Sequence, residues 1–518
     1  MKEVPGPIRA LLVAGLFLYP LIYFGMFAGD AEIHLVYGAN AAAGGFFEFN
    51  RGETSPGVTS PGFMLLVAAL FRVLPAAVVP LAIKILCLLA WYGLCLVVFL
   101  LARRFGLRGG WAWVACCVAG LIPGSAYNAT IGMESGIFAL AACAWLYAAL
   151  VSGWFETGAE ELGGRTWWNE ALLGGAIGAA TWVRPEGVVI GALAAAYRAF
   201  HVARAGAPLR HSAARTFAFL TPFCCVTGLA VAFHYAYTGH LIPSSGLSRV
   251  LLGSLDAYWL GPVPFNTNVL LRLLAYFPLT LTWMMGIRLV MKRSALPAAA
   301  QAAAEFSVLL AGTVVVLYST VLGSNHLARY LVFVLPLVAL VATVGVRWTW
   351  EQPWGRAAVI VLGLALCGVF ALETQARLQL GEPDELARAM DAPGERAESS
   401  SELFAALGSP QELPIVVAWA DVQWRYWLDD RFVVRSLDGR TDPLMLEFVR
   451  PGHFDHVAYI KARDIRFLME RPNYNRDSTA WSLQDLERLA PSERLVHEGL
   501  EFSRAAGDSD IIRVEPAR

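Results

Sequence analysis

The sequence predicts a polytopic α-helical membrane protein with a small C-terminal α/β domain, and three observations carry that prediction. Hydrophobic residues make up 57% of the 518-residue chain and charged residues only 16%, with a mean hydropathy of +0.53, far too apolar for a soluble domain of this size. The apolar residues are gathered in long runs separated by short polar stretches. From about Thr374 the chain turns polar and then alternates in the manner of strands.

The net charge of -1 hides an uneven distribution, because the charged residues sit between the apolar runs or in the last quarter of the chain. No basic face is offered to nucleic acid, which is excluded as a partner class. All eight cysteines, Cys87, Cys95, Cys116, Cys117, Cys143, Cys224, Cys225 and Cys367, fall in apolar runs. They read as small hydrophobes, not as a disulfide framework or a metal site.

Lys2 and Arg9 precede the first apolar run, Ala10 to Ala28, which lacks a small-x-small cleavage pattern and reads as a retained helix. A polar stretch follows, Gly29 to Pro61, with Asp30, Glu32 and His34 at its start, a Gly-rich aromatic segment, and two Ser-Pro steps. It reads as an ordered loop and as the reaction centre. Further apolar runs lie near Gly62–Leu74, Ala77–Ala102, Trp111–Ile122, Gly136–Val151, Ala171–Val183, Gly187–Phe200, Phe217–Tyr235, Val269–Met291, Phe306–Leu322, Tyr330–Val346 and Ala357–Leu372. The hydropathy rule gives about eleven spans.

Parity then sorts the loops. With one of the two short early runs at the surface, Gly62–Leu74 or Trp111–Ile122, the former favoured by Arg103, Arg104 and Arg108, one side collects Lys2, Arg9 and a series of basic residues from Arg198 to Arg356. The positive-inside rule makes that side cytoplasmic, with the acidic Gly153–Glu170 loop as its exception. The other side collects Asp30, Glu32, Glu134, Arg184, Glu186, His240, Arg249, His326 and Arg329. Ionisable groups beside the hydrocarbon are costly, so their convergence on one face predicts a shared aqueous cavity facing outward.

The motifs carry structural readings beside chemical ones. Asp30 and Glu32 suit a general base, a metal-ligand pair, or acids solvated at a membrane edge. Glu134, in Gly132–Ser135, suits a helix cap. Arg184 and Glu186, in Arg184–Gly187, suit a Pro-Gly hairpin with the two side chains paired, or a cation facing a phosphate. His234–Arg249 and Asn325–Tyr330 suit interfacial anchors, or cations that stabilise a leaving phosphate. No H-E-x-x-H pattern is present; a divalent cation held by carboxylates and carbonyls is compatible with the residues, and no other cofactor is indicated. Beyond Thr374, residues up to Leu413 read as a linker with some helix. Pro414–Ala420, Arg431–Leu437, His456–Ile460 and Ile511–Val514 read as strands, and Ser482–Leu489 as a helix.

In order along the chain stand an Asp-containing first loop with a T-S-P step, G-M-E-S, R-P-E-G, Y-x-G-x-x-I-P-S-S, R-Y before an apolar run, and V-A-W-A-D-V-Q-W-R-Y-W-L-D-D-R. That order resembles the GT-C superfamily of polyprenyl-phosphate-sugar-dependent membrane glycosyltransferases, and within it the terminal arabinofuranosyltransferase-like branch. The resemblance implies a GT-C-like module over residues 1–373, a linker over 374–413 and an extracytoplasmic domain over 414–518. It implies inverting transfer of arabinofuranose or a hexose such as mannose from a polyprenyl-phosphate donor to an envelope glycan, glycolipid or protein, at the outer face of the cell membrane. It assigns Asp30 as base with Glu32 as second carboxylate, Arg184, Arg249 and Arg329 as phosphate or sugar contacts and Glu134 as a supporting or sugar contact; Glu186, His240 and His326 join them as substrate-binding candidates. The chain departs from that branch's pattern at Gly29, where an Asp is usual, at Val36 in place of an Arg, and at Ser244 in place of an Asn. These departures bear on the donor sugar more than on the reaction class. A flippase for a lipid-linked saccharide and a noncatalytic scaffold are the competing readings: the first predicts charges through the depth of several spans, the second indifference to Asp30→Asn.

Overall fold

The computed structural model describes residues 5–27, 29–156, 165–204, 209–245, 276–292, 296–318, 330–380, 384–407, 415–419, 425–436, 442–450, 453–469, 494–497, 499–505 and 508–517. The protein is a multi-pass membrane protein. Five described helical stretches are long and apolar enough to cross a bilayer: Gly6–Tyr23, Ala76–Arg104, Ala213–Thr238, Ala298–Val316 and Gly355–Gln379.

The helices, in chain order, are α1 (Gly6–Leu18), α2 (Gly29–Ala42), α3 (Pro61–Val73), α4 (Val79–Arg104), α5 (Gly110–Leu121), α6 (Pro123–Thr130), α7 (Ser135–Val151), α8 (Arg165–Val183), α9 (Glu186–Arg204) and α10 (Leu209–Thr238). After them come α11 (Phe277–Met291), α12 (Ala298–Val316), α13 (Leu335–Trp350), α14 (Gly355–Leu380) and α15 (Glu385–Leu407). Proline placement accounts for several boundaries. Ile122 is extended before Pro123, and there α5 and α6 break at 63°, so their combined run is a bent element. Helix α3, 13 residues and about 20 Å long, is short of the roughly 30 Å hydrocarbon core.

Close packing of the spans depends on small residues. On α8, Gly174 and Gly178 lie against the Phe219 and Phe223 carbonyls of α10, where a Cβ would meet backbone. At the end of the same helix, Gly62 of α3 lies against Trp182. This contact brings the segment after the first loop against the end of α8 that leads to Arg184.

The structure corrects several expectations. The first half of the Gly29–Pro61 stretch is helix, not loop. Asp30 and Glu32 in its first turn favour the positive end of the helix dipole, and Ala31 and Leu35 are buried at i, i+4 spacing. The first span ends in a 3₁₀ turn, Tyr19–Tyr23. The Thr374–Leu413 linker is largely helical: α14 runs on to Leu380, and α15 continues through Pro393 to Leu407. His456–Ile460 is not a strand but the start of α16 (His456–Ala462), because the Asp455 carboxylate accepts a hydrogen bond from the Ala458 N–H (2.9 Å) and caps it.

Strands β1 (Ile415–Trp419), β2 (Phe432–Ser436), β5 (Phe467–Met469), β6 (Arg494–His497), β7 (Leu500–Ala505) and β8 (Asp508–Pro516) form one mixed sheet in the order β2-β1-β5-β8-β7-β6. Its β2-β1-β5 part is parallel and the rest antiparallel. A small antiparallel pair, β3 (Val449–Arg450) and β4 (His453–Phe454), stands apart. The Ser482–Leu489 segment lies outside the described residues.

Candidate functional site

Helix α2 separates the two acidic candidates. Residues four apart share a helix face and residues two apart diverge, so Asp30 is in register with His34 while Glu32 points elsewhere. Asp30 is half-buried; Glu32 and His34 are buried. Glu32 lies toward the C-terminal segment: burial and, against the opposing Arg396, the Glu32 carboxylate raise the pKa of the Tyr426 hydroxyl above its ordinary value.

On the Asp30 side the structure brings three of the expected residues into one ion-paired cluster. His34 Nε2 lies 3.1 Å from Glu134 Oε2, with the imidazole edge-on to Phe63 at 5.0 Å. Arg184 Nη1 donates to Glu134 Oε1 (3.0 Å) and to Ser135 Oγ (2.7 Å). Its Nη2 and Nε donate to Glu186 Oε1 (2.7 Å) and Oε2 (3.1 Å), the forked pairing that suits guanidinium and carboxylate. The Tyr318 hydroxyl donates to Glu186 Oε1 (2.6 Å), and the Tyr330 ring stacks on Tyr318 at 4.6 Å with the Arg184 guanidinium over its face. The Arg184, Glu134 and Glu186 side chains are at most 5% exposed.

Local sequence explains the convergence. Pro185 ends α8 and lets Glu186 open α9, so Arg184 and Glu186 flank a tight break with the Gly187 N–H donating to the Arg184 carbonyl (3.1 Å). Glu134 occupies the N-cap position of α7 without capping it. Its carboxylate turns instead to Arg184 and His34, which replaces the cap reading. Arg184, with Nε, Nη1 and Nη2 all donating inside the cluster, organises it.

The irregular half of the first loop is held from two directions. Ser244 N–H donates to the Pro56 carbonyl (2.8 Å) and Ser245 Oγ to the Gly57 carbonyl (2.8 Å). His234 Nδ1 lies 2.8 Å from the His240 carbonyl, so His240 contributes its backbone there while the residue itself is exposed. Phe46 and Phe47 pack against Phe233 and Tyr237 of α10. From the other direction, Asn50 pairs with the edge of β2: its Nδ2 donates to the Val434 carbonyl (3.0 Å) and the Val434 N–H donates to its Oδ1 (3.0 Å). Beside it the Arg435 guanidinium grips both oxygens of Glu53 (2.5 and 2.8 Å).

Sequence reasoning passed over Lys84, Tyr318 and the His34–Glu134 contact. Lys84, fully buried in α4, donates to the carbonyls of Tyr23 (2.7 Å) and Met26 (2.6 Å), just before α2. The Phe27 N–H donates to Glu385 Oε2 (2.7 Å), and the Leu386 N–H to the Gly25 carbonyl (2.8 Å), so the start of α15 grips the same junction. A lone lysine in a 26-residue apolar helix was the signal available. Arg249, His326 and Arg329 lie outside the described residues.

At the other end of α8, about 20 Å away by helical rise, Glu170 accepts from Arg198 Nη2 (3.3 Å) and Arg215 Nη2 (2.6 Å). Glu170, at the end of the acidic exception in the basic set, is thus a buried counter-charge. Among the described residues no three His, Cys, Asp or Glu side chains converge as a metal site.

No family model and no curated protein matches the sequence. Among solved structures the chain is similar to the oligosaccharyltransferase AglB from Archaeoglobus fulgidus in complex with an inhibitory peptide and a dolichol-phosphate. That similarity has a TM-score of 0.57 at 11% identity, over 90% of this chain and 70% of that one. It is similar too to ArnT from Cupriavidus metallidurans bound to undecaprenyl phosphate, with a TM-score of 0.54 at 13% identity, over 99% of this chain and 98% of that one. At these identities the likeness is one of fold alone.

Proposed function

We propose that the protein is an inverting glycosyltransferase that moves a sugar from a polyprenyl-phosphate donor to an acceptor hydroxyl. The observation that supports it best is a half-buried carboxylate, Asp30, on a short helix fixed to a buried ion-paired cluster, in a fold shared with proteins solved with dolichol-phosphate and undecaprenyl phosphate.

The reaction balances with this chain's own groups. Asp30 accepts the proton of the acceptor hydroxyl as its oxygen attacks the anomeric carbon, and the bond from that carbon to the phosphate oxygen breaks with its electron pair on the phosphate. Arg249 and Arg329 are the cations proposed to meet that charge, because Arg184 is already neutralised. Glu134 and Glu186 hold Arg184, and Arg184 holds the break between α8 and α9. Residues 1–373 form the catalytic module with about eleven spans. The C-terminal sheet, joined to the first loop through Asn50 and Glu53, receives the acceptor. The cluster faces outward across the cell membrane, and arabinofuranose and mannose are the sugars to try first.

The test is transfer in vitro from a panel of polyprenyl-phosphate sugars to envelope glycan by the purified full-length protein, with the anomeric configuration of the product read by NMR. An inverted linkage from one donor supports the proposal. A retained linkage, or no transfer from any donor by folded protein, overturns it.

A further inference from the structure

We infer that His34 is a positioning residue for Asp30, tying the acid-bearing helix to the Glu134–Arg184–Glu186 cluster; the inference rests on the proposed function. Three observations carry it. His34 stands one helical turn after Asp30 on the same face of α2, so a displacement of its ring moves the first turn with it. Its Nε2 lies 3.1 Å from Glu134 Oε2, a carboxylate that Arg184 anchors from its other oxygen. Its ring is fixed edge-on against Phe63, on the α3 helix that Gly62 seats against Trp182.

Other contacts of α2 hold its two ends. Lys84 and Glu385 hold the backbone before the helix, at Tyr23, Met26 and Phe27. Tyr37 bonds Ser55 (2.6 Å) and Asn40 bonds the Glu48 and Phe49 carbonyls, all within the same loop. The His34–Glu134 contact joins the face carrying Asp30 to the spanning helices. His34 Nδ1 is buried without a hydrogen-bond partner among the described residues. The experiment must therefore separate positioning from proton transfer at that nitrogen.

His34→Ala and His34→Gln are compared in the full-length protein by transfer kinetics across pH and by amide hydrogen exchange of residues 29–42. Glutamine keeps a donor for Glu134 but no ionisable ring. A displaced base costs up to about a hundredfold in rate. The expected result is a kcat loss of that order in His34→Ala with KM little changed, recovery of most of it in His34→Gln with an unaltered pH profile, and faster exchange of α2 in the alanine variant alone. Equal losses in both variants with one limb of the pH profile gone would assign Nδ1 a proton-transfer role and overturn the inference. Wild-type kcat and wild-type exchange in His34→Ala would overturn it as well. If the wild type transfers no sugar, the proposed function fails, and exchange alone decides whether His34 holds the helix.

Discussion

Replacing Arg184 by Met tests whether the buried cluster is the keystone of the site. The substitution removes the donors that meet both oxygens of Glu186 and one oxygen of Glu134, together with the bond to Ser135. Two carboxylates with side chains 3% and 5% exposed then lose their guanidinium counter-charge, with the Tyr318 hydroxyl still on Glu186 and the His34 ring still beside Glu134. Breaking a buried pair by removing one member costs about 3–5 kcal/mol, because the remaining charge is left desolvated. The detergent-solubilised protein should therefore unfold well below the wild type when tryptophan fluorescence is followed on heating. Removing the stranded charges should reverse most of the loss: Arg184→Met combined with Glu134→Gln and Glu186→Gln is predicted to unfold close to the wild type, since neutral replacements of a buried ion set are often tolerated. An Arg184→Met protein that unfolds at the wild-type midpoint, or a triple variant no better than the single one, would refute the reasoning.

Two further predictions concern the C-terminal segment. Asn50→Ala leaves the Val434 N–H and carbonyl without their side-chain partners, at a cost of about 1–3 kcal/mol, and should speed proteolysis or hydrogen exchange of β2 without unfolding the spans. At Asp429, partial burial raises the carboxyl pKa, but the Arg431 side chain and backbone N–H outweigh it and hold it below the usual 3.8. A carboxylate depressed in the fold stabilises above its unfolded value and loses that contribution as pH falls through the folded one. The loop around Trp427 should therefore loosen only below pH 3.8, and Asp429→Asn should abolish that acid step in a fluorescence titration.

The membrane class and the clustering of Glu134, Arg184 and Glu186 were legible in the sequence for a simple reason. Charges are rare in apolar runs, and a proline between Arg184 and Glu186 announces a helix break. The α2 helix was not legible, because glycines and polar residues mask a short apolar face that only α3 completes. The His34–Glu134 contact joins residues 100 positions apart, and no periodicity reports it. The same holds for Asn50 and Val434, where an amide side chain extends a sheet edge 384 residues downstream. His456–Ile460 misled because alternation over five residues is compatible with both strand and helix; the Asp455 cap decides it.

The most direct test of the central claim is the rate of sugar transfer by Asp30→Asn against the wild type, with Glu32→Gln as the control that α2 points toward Tyr426. The expected result is a loss of about a hundredfold or more in Asp30→Asn, the scale of a missing general base, and a much smaller change in Glu32→Gln. Transfer at the wild-type rate by Asp30→Asn would contradict it.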